Sequence, residues 1–326
     1  MSKQNPRIVF MGSPGFALGP LQGLLESGCQ VVGVITAPDR PAGRGKKIRY
    51  SAVKEFLLKE NKHIPLLQPE NLKAEPFLES LKALKPELQI VVAFRMLPEA
   101  VWSIPPLGTF NLHASLLPQY RGAAPINHAL INGEKVTGVS TFLIDEQIDT
   151  GNILLQEKIE IGPEETAGEL HDRLMDLGAG LVLETVRQLS RGALKAKSQE
   201  LFMEPGSVLK RAPKIFKEDC RIDWNLPGPA IFNLIRGLSP YPGAFTHLER
   251  EGGQVLLCKI FRATLEPASQ PDAPGTISSD GKSYLMAAVK DGLLRIHSIQ
   301  QEGKRRMDIR DFLSGFKLRD GEFRFS

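Results

Sequence analysis

Two polar side chains interrupt an apolar run at a spacing of two, in Thr109-Phe110-Asn111-Leu112-His113. The run has the character of a strand, where residues two apart look to the same side with their Cα atoms about 7 Å apart. Asn111 and His113 therefore face one space, and Leu112 turns away. A carboxamide that donates and an imidazole that donates or accepts are suited to holding an oxygen on which charge develops. A lone histidine on a strand is more often a core residue. Two polar groups on one face, at a strand end where ligands of α/β sheets gather, point instead to a site. The strand stops at Ala114-Ser115-Leu116-Leu117-Pro118, where proline ends pairing and an apolar loop can lie over a flat ligand. Downstream, Asp145-Glu146-Gln147-Ile148-Asp149-Thr150-Gly151 sets three acids in a turn. An acid in a turn usually makes an Asx turn. Beside Asn111 and His113, however, Asp149 completes a set able to carry out acyl transfer.

The elements that would position these residues alternate in type. Arg7–Met11, Gln30–Thr36, Ile64–Leu67, Leu88–Phe94, Thr109–His113 and Thr137–Ile144 read as strands. Helical periodicity falls over Phe16–Ser27, 51–61, 74–84, Pro125–Asn132 and Thr166–Ser190. This alternation predicts an α/β, doubly wound, mostly parallel sheet. The first turn, Gly12-Ser13-Pro14-Gly15, is neither G-x-G-x-x-G nor a phosphate loop, so no nucleotide is assigned to it. Residues 37–49 form a loop with two prolines, two glycines and five basic residues against one acid, well placed to reach a polyanion. Beyond Pro205-Gly206 and one helix near Ala230–Leu238, short strands at Ala244–Leu248, Gln254–Thr264, Tyr284–Ala288 and Leu293–Ile299 suggest a small OB-like β-barrel. We place a first domain at 1–191, a linker at 192–209 and the barrel domain at 210–326.

Asn111, His113, Ser115-Leu116-Leu117-Pro118, Arg121-Gly122-Ala123-Ala124-Pro125 and Asp149-Thr150-Gly151, in this order, resemble the folate-dependent formyltransferases. Within them the likeness is greatest to the branch that acts on methionyl initiator tRNA. It runs from Phe10-Met11-Gly12-Ser13-Pro14 to Gly303-Lys304-Arg305-Arg306-Met307. The resemblance implies a Rossmann-like formyltransferase domain and transfer of a formyl group from 10-formyltetrahydrofolate to the α-amine of methionine on initiator tRNA. It implies that backbone groups around Val92, Phe94, Met96 and Leu97 line the pteridine pocket, with the loop Ser115, Leu116, Leu117 and Pro118 beside them. Arg95 stands where relatives commonly have glycine, so the local turn is expected to differ. It further implies that the 38–49 insertion reaches the acceptor end of the tRNA, with Arg44 at the key contact and Arg40, Lys46 and Lys47 around it. Lys210 and Lys214, in a basic track, and Lys304, Arg305 and Arg306 fit phosphate contacts. In such a reaction Asn111 and His113 would donate to the formyl oxygen, and Asp149 would orient the imidazole or accept the amine proton. The substrate amine is the nucleophile, so no serine or cysteine triad is needed.

Composition agrees with two globular domains: 326 residues, 42% hydrophobic and 24% charged. Up to residue 206 there are 22 Lys+Arg against 23 Asp+Glu; beyond it there are 19 against 14, a net +5 that suits an acidic partner. Three scattered cysteines and six histidines without helical zinc spacing predict neither disulfides nor a metal. No apolar run reaches membrane-spanning length and the start, MSKQNPR, is polar, so a cytoplasmic monomer away from membranes is expected. Two other readings share the sequence features. A formyltransferase for small amines, or a formyltetrahydrofolate hydrolase, would keep the trio but has little reason for the basic loop. A non-catalytic RNA-binding protein would leave the trio without purpose.

Overall fold

The computed structural model describes residues 5–42, 47–61, 63–203, 206–250, 253, 255–268, 272–316, 318 and 323–326. The chain forms two compact units. One is drawn from Met1–Pro125, Thr137–Ile159 and His171–Arg211, the other from Ile126–Val136, Glu160–Leu170 and Ala212–Ser326.

In the first unit β1 (Ile8–Gly12) is buried along its whole length, as a strand covered on both faces must be. Helix α1 (Leu18–Glu26) returns the chain to β2 (Val31–Ile35). Within the stretch that reads as an irregular loop lies a two-stranded antiparallel ribbon, β3 (Arg40–Ala42) with β4 (Lys47–Arg49), in which Pro41 opposes Ile48. A ribbon edge has no need of the proline's missing N–H. Helix α2 (Ala52–Glu60) starts at Ser51, whose hydroxyl accepts from the Lys54 N–H. The unit continues through β5 (Leu66–Leu67), α3 (Glu75–Ala83), β6 (Leu88–Val92), α4 (Glu99–Trp102), β7 (Thr109–His113) and the two-residue β8 (Arg121–Gly122). Helix α5 (Pro125–Ile131) falls from Ile126 on in the second unit, as does the start of α6 (Ala167–Ser190); β9 (Val136–Leu143), β10 (Ile153–Glu160) and the two-residue β11 (Arg211–Ala212) complete the chain's course here.

Across the sheet the order is β10-β9-β7-β6-β1-β2-β5. Strands β5, β2, β1, β6 and β7 are mutually parallel and β9 runs antiparallel to β7. This is a Rossmann-like sheet whose order reverses between β1 and β6, where open α/β sheets leave a crevice at their carboxyl ends. Alternate residues of β1 serve opposite layers: Val9 and Met11 pack with Phe77 and Leu81 of α3 and Val101 of α4. On the other face Leu112 of β7 reaches α6 at Gly178, where a Cβ would come within 2.7 Å of it.

In the second unit α7 (Gly228–Leu238) packs on a barrel of β12 (Ala244–Arg250), β13 (Val255–Glu266), β14 (Ile277–Ser279), β15 (Leu285–Val289), β16 (Gly292–Gln301), β17 (Met307–Asp308) and β18 (Phe323–Phe325), with α8 (Ile309–Gly315). The antiparallel order β14-β15-β16-β13-β12-β18 nearly closes, through a bridge between Thr276 and Arg324. Trp224 stacks on Phe325 inside it at 5.0 Å, and its indole N–H donates to Thr246 Oγ1. The predicted barrel strands are present; β14, β17 and β18, each two or three residues long, add to them. Among the described residues no helix is long and apolar enough to cross a membrane.

Candidate active site

Strand β7 delivers Asn111 and His113 to its carboxyl end, opposite Phe142 and Ser140 of β9. Asn111 is half-buried, and its carboxamide bonds to none of the described residues. Both its N–H groups are thus available to a ligand. His113 is buried, edge-on to the Phe142 ring with 6.5 Å between centroids. Its Nε2 lies 2.8 Å from the Tyr120 carbonyl. A carbonyl only accepts, so Nε2 carries the hydrogen. The neutral ring then has its lone pair at Nδ1, which faces Asp149 Oδ2 at 3.8 Å. Two bare acceptors repel at that distance, whereas a proton on Nδ1 or a donor between them makes the approach attractive.

Asp149 Oδ2 also accepts from the Gly122 N–H at 2.9 Å. The residue has φ 56°, in the left-handed region that few side chains adopt. Asp145, not Asp149, makes the Asx turn: its Oδ1 accepts from the Gln147 N–H at 3.1 Å and from Thr150 Oγ1 at 2.8 Å. Asp145 thus shapes the turn, while the Asp149 carboxylate turns to Gly122 and His113. Gly151 closes it because a Cβ there would stand 1.7 Å from the Leu143 carbonyl oxygen. Gln199, buried in the stretch read as a linker, bonds to Arg121 and to the carbonyls of Asp149 and Gly151. Its partners lie far off in sequence and no local pattern marks it.

Two family models match this chain: formyl transferase over residues 7–186 and formyl transferase, C-terminal domain, over residues 214–317. The chain belongs to the formyl transferase family. Among its relatives, methionyl-tRNA formyltransferase of Parabacteroides distasonis is 54% identical over 318 residues, 97% of this chain and 98% of the relative. The enzyme of that name from Flavobacterium johnsoniae is 52% identical over 96% of this chain and 97% of its own. Two solved structures share the fold. HypX from Aquifex aeolicus in complex with tetrahydrofolic acid has a TM-score of 0.62 at 18% identity, and covers 98% of this chain while this chain spans 51% of HypX. WlaRD, a sugar 3N-formyl transferase in the presence of dTDP and 5-N-formyl-THF, has a TM-score of 0.61 at 20% identity, covering 93% of this chain and 100% of its own.

In this formyl transferase the residues expected at a pteridine pocket lie at the end of β6 and in the loops after β6 and β7. Val92 and Leu97 are buried, Phe94 is half-buried and Met96 is 69% exposed. The loop after β7 is more firmly built than an apolar flap. Ser115 donates its hydroxyl to the Gln119 carbonyl at 2.6 Å, and Leu117 packs inward on Phe142 and Ile153. Pro118 is buried too, so Leu116, half-buried, is the member with surface to offer. Arg95 reaches away from β6 to donate to the carbonyls of Glu70 and Pro69. Burial first, and the like charge of Arg40 second, lower the pKa of its guanidinium.

Of the basic residues, Arg40 is exposed on β3, and its neighbour Asp39 anchors the ribbon. Asp39 accepts from Lys54 Nζ at 2.5 Å and from Gln68 Nε2 at 2.8 Å, and those hydrogen bonds hold its carboxyl below the usual pKa. Arg44, Lys46 and the Lys47 side chain lie outside the described residues. Lys210, Lys304 and Arg305 are exposed, and Lys214 lies over the Phe216 ring at 5.4 Å. Arg306 is held more tightly, its Nε on Ser298 Oγ at 2.8 Å and its guanidinium 4.7 Å from the Phe261 ring centroid.

Proposed function

We infer that this chain transfers the formyl group of 10-formyltetrahydrofolate to the α-amine of methionine esterified to initiator tRNA. One observation carries the reading: relatives named methionyl-tRNA formyltransferase match about half of all residues across both units and nearly end to end. The site chemistry suits it. The neutral amine attacks the formyl carbon, and negative charge grows on the formyl oxygen while the nitrogen becomes positive; collapse then breaks the bond from the formyl carbon to N10 of the folate, which takes up the proton the amine gives up and leaves as tetrahydrofolate. The free carboxamide of Asn111 supplies an N–H to that oxygen. His113, tethered at Nε2, has only Nδ1 left for proton traffic. Asp149 faces that nitrogen and stabilises positive charge there, or takes the amine proton through an ordered water. Arg40, Arg44, Lys46 and Lys47 of the 38–49 stretch, together with Lys210, Lys214, Lys304, Arg305 and Arg306, engage the tRNA backbone. Residues 92–97 and 115–118 frame the folate.

The test offers the purified protein 10-formyltetrahydrofolate with methionyl initiator tRNA, methionyl elongator tRNA, free methionine or no acceptor. Formylation of the initiator alone is expected. Tetrahydrofolate release without an acceptor would reassign the protein to hydrolysis, and transfer to a small amine but to no tRNA would remove the tRNA from the reading.

A further inference from the structure

Behind the trio lies a buried carboxamide with both of its polar atoms engaged. Gln199 is 4% exposed; its Oε1 accepts from Arg121 Nε at 3.1 Å and Nη2 at 2.7 Å. Its Nε2 donates to the carbonyls of Asp149 at 2.9 Å and Gly151 at 2.8 Å. The main chain it grips passes through the left-handed conformation of Asp149, which persists only where the surroundings hold it. Arg121 and Gly122 are consecutive, and Gly122 is the residue whose N–H holds the Asp149 carboxylate. The acidic turn is therefore fastened to β8 twice, once directly and once through Gln199.

We propose that Gln199 is a positioning residue for formyl transfer: anchored by Arg121, it grips the main chain at Asp149 and Gly151 so that the carboxylate stays opposite His113 Nδ1. This rests on the function proposed above. Gln199 touches neither substrate nor reacting atoms in this role, and acts through Asp149.

The experiment is a double-mutant cycle. Gln199→Leu keeps the volume and removes the hydrogen bonds. Its kcat for formyl transfer should fall about 10- to 100-fold, with KM for folate little changed, because a displaced catalytic group acts on the chemical step. In an Asp149→Asn background the same substitution should change kcat by no more than about twofold, since the group it positions is already disabled. Losses that multiply in the double variant, or a Gln199→Leu enzyme with full kcat, overturn the proposal. Hydrogen exchange across residues 145–152, followed by mass spectrometry, reads the same clamp without turnover: faster exchange in Gln199→Leu is expected, and unchanged exchange overturns it. Should Gln199→Leu fail to fold, Arg121→Met removes the anchor and goes through the same cycle and exchange measurement, with the same outcomes deciding. A wild-type protein that formylates no acceptor would sink the proposed function instead, and the exchange measurement would still decide the clamp.

Discussion

Truncating Asn111 to alanine isolates one hydrogen-bond donor. In the free protein its carboxamide bonds to none of the described residues and the side chain is half-buried, so its removal leaves no orphaned partner and little lost packing. Folding stability should therefore move by no more than about 1 kcal/mol. In the proposed role the loss falls instead on the reaction, where one preorganised N–H would no longer meet the developing oxyanion. Such a donor is worth about 100- to 1,000-fold in rate, or ~2.7–4 kcal/mol. Most of it should appear in kcat, because the formyl oxygen carries less charge before attack than during it. Single-turnover formylation of methionyl initiator tRNA at saturating folate measures the step directly, and thermal unfolding of the same variant measures the fold. A loss below about fivefold would refute the oxyanion role, as would a drop in unfolding temperature large enough to explain the lost activity.

Other residues give equally specific expectations. Gly151→Ala places a Cβ 1.7 Å from the Leu143 carbonyl oxygen, a main-chain clash that no rotamer relieves; calorimetry should show the unfolding temperature lowered by about 5 °C or more. Lys54→Met removes the charged partner of Asp39 at the root of the basic ribbon, so KM for tRNA should rise about fivefold while KM for folate stays put; equal rises in both would contradict a ribbon role. Burial pushes the Cys258 thiol up to about 12. At pH 8 it should resist iodoacetamide in the native protein and react on unfolding, as peptide mass spectrometry can read.

The chain discloses its central strands plainly, because strands buried on both faces are written as unbroken apolar runs, as in Leu88–Val92. It hides β10 for the opposite reason. At the sheet edge, Ile153–Glu160 begins buried and runs out into exposed charge, so neither period dominates. The basic stretch 37–49 looked irregular because proline and glycine mark breaks locally, whereas the pairing of Arg40–Ala42 with Lys47–Arg49 is a property of two segments together. That Asn111 and His113 share one face of β7 is legible from a spacing of two. Gln199 is not: its partners stand 48, 50 and 78 positions away, and two of them are carbonyls that every residue type possesses.

The bond from His113 Nε2 to the Tyr120 carbonyl bears on how the site can drift. The acceptor is main chain, so the tautomer of the His113 imidazole is written in the path of the backbone rather than in the identity of any side chain. Tyr120 itself has φ 61° and its N–H is tied to the Lys210 carbonyl at 2.7 Å. The ring's tautomer is thereby tied to the course of the backbone, and vulnerable to insertions or deletions between residues 113 and 120.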